Sequence, residues 1–529
     1  MKLELYDTTL RDGAQMEGMS LSVEDKLKIT RKLDELGVDW VEGGWPGSNP
    51  KDAEFFVRAQ SLNLQHARLA AFGSTRRPGG DAESDANLRA LLDARTPGVT
   101  IVGKASDLHV RAVLETTHEE NLAMIADSVR LMKANGRTVF FDAEHFFDGF
   151  YSDRGYALRC LRAAASAGVD CLVLCDTNGG MTTERLVEAV RAVKAELDVP
   201  LGIHTHNDAD LAVANSLAAV AEGVRQVQAC VNGYGERCGN ANLISIIANL
   251  KLKYGMEVVS DEQLAMLTEV SHYVSEIVNM VPDPYQPYVG TSAFTHKGGL
   301  HVAAVLKADE SYQHVPPEAV GNQRRMLVSE LGGSRGVMQK LREIGYELEL
   351  SRDEARVLQE KVNEQEAKGY QFEGAEASFE MLVRRNRPDY VPPFELEDFW
   401  IVERRATATA GHDREMQAEA MVKVRIGGEL RQTAAEGNGP VNALDAAVRK
   451  ALVEFFPAIY AVKLVDFKVR IIDSAAGTSA AVRVLVESSA GERFWTTVGA
   501  STDIIEASWL ALADSLEYFL AKRAGWTPG

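Results

Sequence analysis

The segment His204-Thr205-His206-Asn207-Asp208 follows the apolar run Val199-Pro200-Leu201-Gly202-Ile203. Side chains two apart on an extended strand share a face, so His204 and His206 can aim two imidazoles at one point. That is a metal-ligand spacing; the plainer alternative is a pair of strand-end histidines that hydrogen-bond locally. Other polar clusters also follow short apolar runs: Asp7-Thr8-Thr9-Leu10-Arg11-Asp12-Gly13-Ala14-Gln15, Glu42-Gly43-Gly44-Trp45-Pro46-Gly47, Asp142-Ala143-Glu144-His145, Asp176-Thr177-Asn178-Gly179-Gly180, and Asn232 to Asn240. Two neutral imidazoles with the Asp12 carboxylate and the Asn240 amide oxygen make a mixed N/O set suited to Mg²⁺, Mn²⁺ or Zn²⁺. The set is open on one side, as a Lewis acid needs if it is to polarise a substrate carbonyl. Taken singly, Asp12 could merely cap the following turn and Asn240 the last helix.

These clusters need a scaffold that gathers them. Strand-length apolar runs are expected at Leu3 to Tyr6, Trp40 to Gly43, Ala67 to Phe72, Val99 to Val102, Thr138 to Phe141, Cys171 to Cys175, Leu201 to His204 and Gln226 to Val231. Amphipathic helical stretches lie between them, among them Ser22 to Leu36, Glu119 to Asn135, Arg154 to Ala167 and Thr183 to Leu197. Ser22 with Asp25 three residues on is an N-cap signal for the first. Eight β-then-α units in about 250 residues predict a closed (β/α)8 TIM barrel, with a doubly wound open sheet as the alternative. In a barrel, chemistry sits after the strands, which is where every polar cluster falls. The glycines of Gly233-x-Gly235-x-x-x-Gly239 miss the dinucleotide-binding spacing and read instead as a tight connection that sets Asn240 against the metal.

At 529 residues the chain should hold two or three domains. We expect the barrel over residues 1–275, linker subdomains covering the active site over 276–392, and an α+β regulatory and dimerisation domain over 393–529. Val281-Pro282-Asp283-Pro284-Tyr285-Gln286-Pro287-Tyr288 reads as a linker. Ser351 with Glu354 is a capping-box signal for a charged helix reaching about Lys368, and Glu373 to Arg385 reads as a second helix. The last third repeats itself with a shift of 63 positions: Met421 to Ile426 falls on Val484 to Ser489, and Gly428-Glu429-x-Arg431-x-Thr433 on Gly491-Glu492-Arg493-x-x-Thr496. Each copy ends in a helix, Val441 to Phe455 and Asp503 to Leu520. A βββα duplication with both helices on one side of a shared sheet is therefore expected. The small residues of Gly437-Asn438-Gly439-Pro440 and Gly499-Ala500-Ser501-Thr502 could admit a ligand to the helix N-termini or could simply form tight turns.

A formal charge of −19 argues against sequence-independent binding to nucleic acid or an anionic membrane. The absence of a signal-like start or a bilayer-length apolar run predicts a cytoplasmic protein. Five cysteines without paired spacing fit reduced thiols, with Cys171 and Cys175 packing in a strand.

The pieces Asp7-Thr8-Thr9-Leu10-Arg11-Asp12-Gly13-x-Gln15, His204-x-His206-Asn207-Asp208 and Gly233-x-Gly235-Glu236-Arg237-x-Gly239-Asn240 resemble the metal-dependent barrel family of isopropylmalate, homocitrate and citramalate synthases. Within that family, Gly44-Trp45-Pro46-Gly47-Ser48-Asn49-Pro50-Lys51-Asp52 and Ala143-Glu144-His145-Phe146-Phe147-Asp148-Gly149 are most similar to the long-form citramalate synthases. The resemblance implies Asp12, His204 and His206 as metal ligands, with Asn240 in or near the sphere. It implies Arg11 as the donor to a keto oxygen that becomes an alkoxide, a role that suits a permanently charged group; the alternative is a surface ion pair with Asp12. Gln15, Glu144 and Thr177 would hold substrate, with Glu144 also counted among the catalytic residues. Thr291 to His301 resembles a segment that in the family lies over a barrel mouth, commonly the partner subunit's. His301 would then be the catalytic base, with Tyr312 on the same rim. The reaction implied by the resemblance is a Claisen condensation of acetyl-CoA with pyruvate in a homodimer, with isoleucine as the expected effector of the C-terminal domain. Rival readings are a synthase for another 2-oxo acid, a metal-dependent lyase or aldolase on the same barrel, and an amino-acid sensor that no longer turns over.

Overall fold

The computed structural model describes residues 3–296, 301, 304–305, 307–308, 311–326, 341, 352–372, 374–404, 417–472, 479–491 and 493–523. Residues 297–300, Ser351, Glu373 and Glu492, all part of the sequence patterns above, lie outside the described residues. The chain divides into two compact units, residues 1–294 with 314–324, and residues 295–313 with 325–529.

The first unit is a closed, all-parallel eight-stranded barrel. Its strands are β1 (Glu4–Asp7), β2 (Trp40–Glu42), β3 (Arg68–Ser74), β4 (Gly98–Lys104), β5 (Thr138–Glu144), β6 (Cys171–Asp176), β7 (Leu201–Thr205) and β8 (Gln226–Ala229). Closure is made by β1, which pairs with β2 at Tyr6–Trp40 and with β8 at Leu5–Val227. The open-sheet alternative is thereby excluded. The first helix, Val23–Leu36, begins at a complete capping box: the Ser22 hydroxyl accepts from Asp25 N, and an Asp25 carboxylate oxygen accepts from Ser22 N. It ends at Gly37, whose φ of 88° is the left-handed conformation that a helix C-terminus favours.

Alternation along the strands sorts their side chains into two cores. Outward residues such as Leu5, Val41, Val99, Ile101, Phe141, Leu172 and Ile203 pack under the helices in one large cluster. Inward residues Tyr6, Trp40, Ala70, Phe140, Cys171, Val173 and Cys175 fill the barrel itself. The Phe140 ring meets Tyr6 and Trp40 edge-on, with centroids 5.3 Å and 5.0 Å away. Gly98 gives Trp40 its space, since a Cβ there would lie 2.5 Å from the indole.

The proline-dense stretch read as a linker packs onto the barrel. Tyr288 and Val289 are buried in its outer core, and the Tyr288 hydroxyl donates to Asn249 Oδ1 at 3.1 Å. Prolines punctuated this stretch without setting it free, because two apolar side chains could still be buried.

In the second unit, helices span Arg352–Ala367 and Glu376–Arg385. The repeat appears as two separate three-stranded antiparallel sheets, Glu395–Arg404 with Gln417–Ile426 and Glu429–Gly437, and Lys463–Ile471 with Val482–Ala490 and Arg493–Ser501. The first strand of each copy slips register at matching places, Leu396/Asp398 and Leu464/Asp466. The shared sheet expected from the duplication is not formed among the described residues. In each copy the middle strand takes both pairings, and the outer strands carry charges such as Glu429, Arg431, Lys463 and Lys468 that discourage edge joining. The copies meet instead through their helices, Pro440–Leu452 and Ile504–Arg523, where Leu444, Val448, Leu452, Trp509, Leu512 and Leu516 share one cluster. The glycines read as room for a ligand lie against these helices: a Cβ on Gly437 would press on Ala443 N and one on Gly499 on Ala507 O. Among the described residues no helix is long and apolar enough to cross a membrane.

Replacing Gly98 with Ala should push Trp40 off its seat and lower the stability of the barrel by about 1–3 kcal/mol, read by urea denaturation; an unchanged transition would refute the proposed packing of the interior.

Candidate metal centre

The turn after β1 is built by its own polar residues. Asp7 accepts from Thr9 N at 3.0 Å and from the Thr9 hydroxyl at 2.7 Å. Thr9 Oγ1 in turn accepts from Val231 N at 2.8 Å, and Thr8 N donates to Ala229 O at 2.9 Å, so the end of β1 is tied to the end of β8. Burial lifts the Asp7 carboxyl to about 7 against these hydrogen bonds. The turn delivers Arg11 and Asp12 to the barrel mouth. Asp12 precedes a short 3-10 turn, Gly13–Gln15, but makes no side-chain capping bond, so capping does not account for it.

Asp12, His204 and His206 meet. Asp12 Oδ2 lies 3.1 Å from His204 Nε2 and 3.8 Å from His206 Nε2, and the two Nε2 atoms are 3.3 Å apart. All three residues are buried, and their ligand atoms lie within 4.8 Å of one another. Burial opposes the charge of Asp12, but Arg11 and then His204 outweigh it and hold the carboxyl well below its usual range. Burial likewise opposes a charged His204, and the contact with Asp12 reverses this and raises its pKa. His206 is pushed down to about 4 by burial and by His204. The pocket thus presents a carboxylate oxygen and two imidazole nitrogens to one point. A divalent ion fits it: the donor set is N, N and O, and a buried amide oxygen stands next door without a partner. That oxygen is Asn240 Oδ1, left over because Asn240 Nδ2 donates to Tyr234 O at 3.1 Å. Asn240 faces His206 across an isolated antiparallel bridge, and the cap of the last barrel helix is Asn242, not Asn240.

The glycine-rich connection sets Asn240 in place. Gly233, Gly235 and Gly239 have φ of 73°, 152° and 87°, a conformation that side chains resist. A Cβ on Gly235 would collide with the Asn240 amide, and one on Gly239 with Gly233 O.

Arg11, Asp12, Gln15, Glu144, Thr177, His204 and His206 line one cavity of about 320 Å³. Arg11 is not a surface residue. Its Nε donates to Glu42 Oε2 at 2.6 Å, Nη1 lies 3.3 Å from Asp12 Oδ1, and its guanidinium stacks 3.8 Å above the Phe72 ring. Burial opposes its charge, but Asp12 and Glu42 keep it fully protonated. Glu144 pairs with Lys104. The Thr177 hydroxyl accepts from His145 N at 2.9 Å, which leaves its own proton to donate. Gln15 is exposed at the mouth, and Asn240 lines an adjoining cavity of about 640 Å³. His301 and Tyr312 belong to the second unit, where their rings stack with centroids 4.3 Å apart.

Three polar residues at this site were given no role from the sequence, although Glu42 and Asp142 head two of the polar clusters that follow apolar runs. Glu42, whose other oxygen accepts from the Tyr6 hydroxyl at 2.8 Å, clamps Arg11. Gln228 and Asp142 lie behind His204. The available signal was polar residues at inward positions of barrel strands, as in the alternation Gln226-Val227-Gln228-Ala229.

Residues 2–274 match the family described as HMGL-like, residues 288–369 the homocitrate synthase post-HMGL domain-like family, and residues 373–520 the LeuA allosteric (dimerisation) domain. An (R)-citramalate synthase of Aquifex aeolicus is 50% identical over 522 residues and one of Geobacter sulfurreducens 49% over 520, each match covering 98% of both chains. A probable 2-isopropylmalate synthase of Methanopyrus kandleri is 34% identical over 522 residues, 99% of each chain.

Gly235→Ala should displace the Asn240 amide and weaken divalent-cation binding by about 10-fold or more, measured by calorimetric titration of the metal-stripped protein; unaltered affinity would detach Asn240 from the centre.

Proposed function

The chain belongs to the (R)-citramalate synthase family and is an acyl-transferring enzyme, and from that footing we propose that it condenses acetyl-CoA with pyruvate to give citramalate and CoA. The observation that carries this reading is the whole-length similarity to citramalate synthases, well above the similarity to the 2-isopropylmalate synthase. Asp12, His204 and His206, with Asn240 beside them, would hold a divalent ion, Mn²⁺, Mg²⁺ or Zn²⁺, which when bound supplies Lewis-acid polarisation of a keto oxygen.

The chain's own residues do the rest. His301 takes a proton from the thioester methyl of acetyl-CoA, acting as the general base. The resulting enolate carbon bonds to the keto carbon of pyruvate, and the carbonyl electron pair moves onto oxygen. Arg11 donates to that oxygen as its charge grows; the Glu42 clamp and the Phe72 ring hold the guanidinium still, so little reorganisation is needed. Glu144, Thr177 and Gln15 orient the substrate in the cavity, with Tyr312 beside the base. The alkoxide takes up a proton, matching the one that His301 removed and gives up; water then adds to the thioester carbonyl and cleaves the C–S bond, leaving the carboxylic acid while CoA departs as the thiol.

The match to an allosteric dimerisation domain supports a homodimer under allosteric control, and the effector in this reading is the end-product amino acid isoleucine. The five unpaired cysteines support a reducing, cytoplasmic setting.

Release of CoA thiol should be fastest with pyruvate when pyruvate, 2-oxoisovalerate and 2-oxoglutarate are compared at equal concentration; faster turnover on either of the others reassigns the substrate. Millimolar isoleucine should inhibit the full-length enzyme in the same assay, and activity indifferent to isoleucine and to other branched amino acids would remove the feedback role.

A further inference from the structure

Behind the metal centre lies a buried chain of hydrogen bonds that takes no direct part in the proposed chemistry. His204 on β7 and Gln228 on β8 are direct partners in the strand register. Gln228 Oε1 lies 2.8 Å from His204 Nδ1, and Gln228 Nε2 donates to Asp142 Oδ1 on β5 at 3.0 Å. The chain crosses the barrel interior, and Asp142, Gln228 and His204 are 3%, 1% and 5% exposed, so water does not compete for its bonds. An amide has one donor end and one acceptor end. With its nitrogen on the Asp142 carboxyl, its oxygen must face the imidazole, and an oxygen there accepts only from an N–H. His204 Nδ1 therefore carries a proton, and in the neutral ring Nε2, the atom turned to Asp12, keeps its lone pair. Turning the amide over would set its oxygen against Asp142 and its NH₂ against Nδ1, which moves the ring proton to Nε2 and closes the ligand atom.

We propose that Asp142 and Gln228 are positioning residues of the metal centre, a relay that commits His204 to the tautomer whose Nε2 can bind a divalent cation. This rests on the reading of Asp12, His204 and His206 as a metal site. Residues that orient a metal-binding histidine in this way change affinity without touching the ion.

The test is titration of metal-stripped full-length protein with Co²⁺, followed by its visible absorption, and with Mn²⁺ by calorimetry. Gln228→Leu should weaken both by about 10–100-fold, whereas Gln228→Glu combined with Asp142→Asn, which reverses the bond between positions 228 and 142 but keeps an acceptor oxygen against His204 Nδ1, should bind within about threefold of the unsubstituted protein and restore its Co²⁺ spectrum. A leucine variant that binds as tightly as the unsubstituted protein overturns the relay. So does a folded double variant that remains at least tenfold weaker, and this second comparison decides the matter where the leucine variant fails to fold. If the unsubstituted protein takes up neither ion, the metal-site reading itself falls, a different result from failure of the relay alone.

Discussion

Two imidazole nitrogens 3.3 Å apart, both turned toward one carboxylate oxygen, cannot satisfy one another as bare lone pairs. A proton or a cation has to stand among them, and a buried pocket makes that demand stronger because an unpartnered polar atom is costly away from water. Much of the barrel mouth serves this requirement. Strand closure carries Asp12 from one end of the barrel sequence to the histidines near the other. The Thr9 and Thr8 bonds lock the β1 turn to β8. Three glycines in a conformation hostile to side chains bring Asn240 alongside, and Gln228 sits behind His204.

What the sequence disclosed came from periodicity and from polar residues placed after strands. The i, i+2 histidines, the Asp7 to Gln15 cluster and the eight-fold alternation of strand and helix were all local patterns, and they led to the barrel and to Asp12, His204 and His206; the resemblance to the synthase family added Arg11, Gln15, Glu144 and Thr177, and all seven line one cavity. Glu42, Asp142 and Gln228 were harder to read. Glu42 and Asp142 stood out only as polar residues at strand ends and Gln228 only as one between apolar neighbours, and the importance of each depends on which residue faces it across the barrel, something that only closure decides. The segment around Tyr288 was misleading for a related reason: proline density reports a lack of regular backbone hydrogen bonding, not a lack of burial.

The C-terminal repeat teaches a similar lesson. Its period and its two helices were legible, because each copy repeats the same spacing of glycine, charge and strand. Whether two small sheets fuse or stand apart was not, since that depends on edge strands meeting in space. Gly437 and Gly499 belong here as well: their missing side chains are explained by helix backbone pressed against the strand, a contact between segments that sequence spacing alone cannot reveal.

The aromatic packing of Tyr6, Trp40 and Phe140 stands one strand step beneath the ring of polar residues that includes Glu42 and Asp142. It makes the barrel a blind shaft with a solid floor, so nothing can drain through the bottom. A molecule held in the cavity beside Arg11 therefore enters and leaves on the mouth side of the barrel.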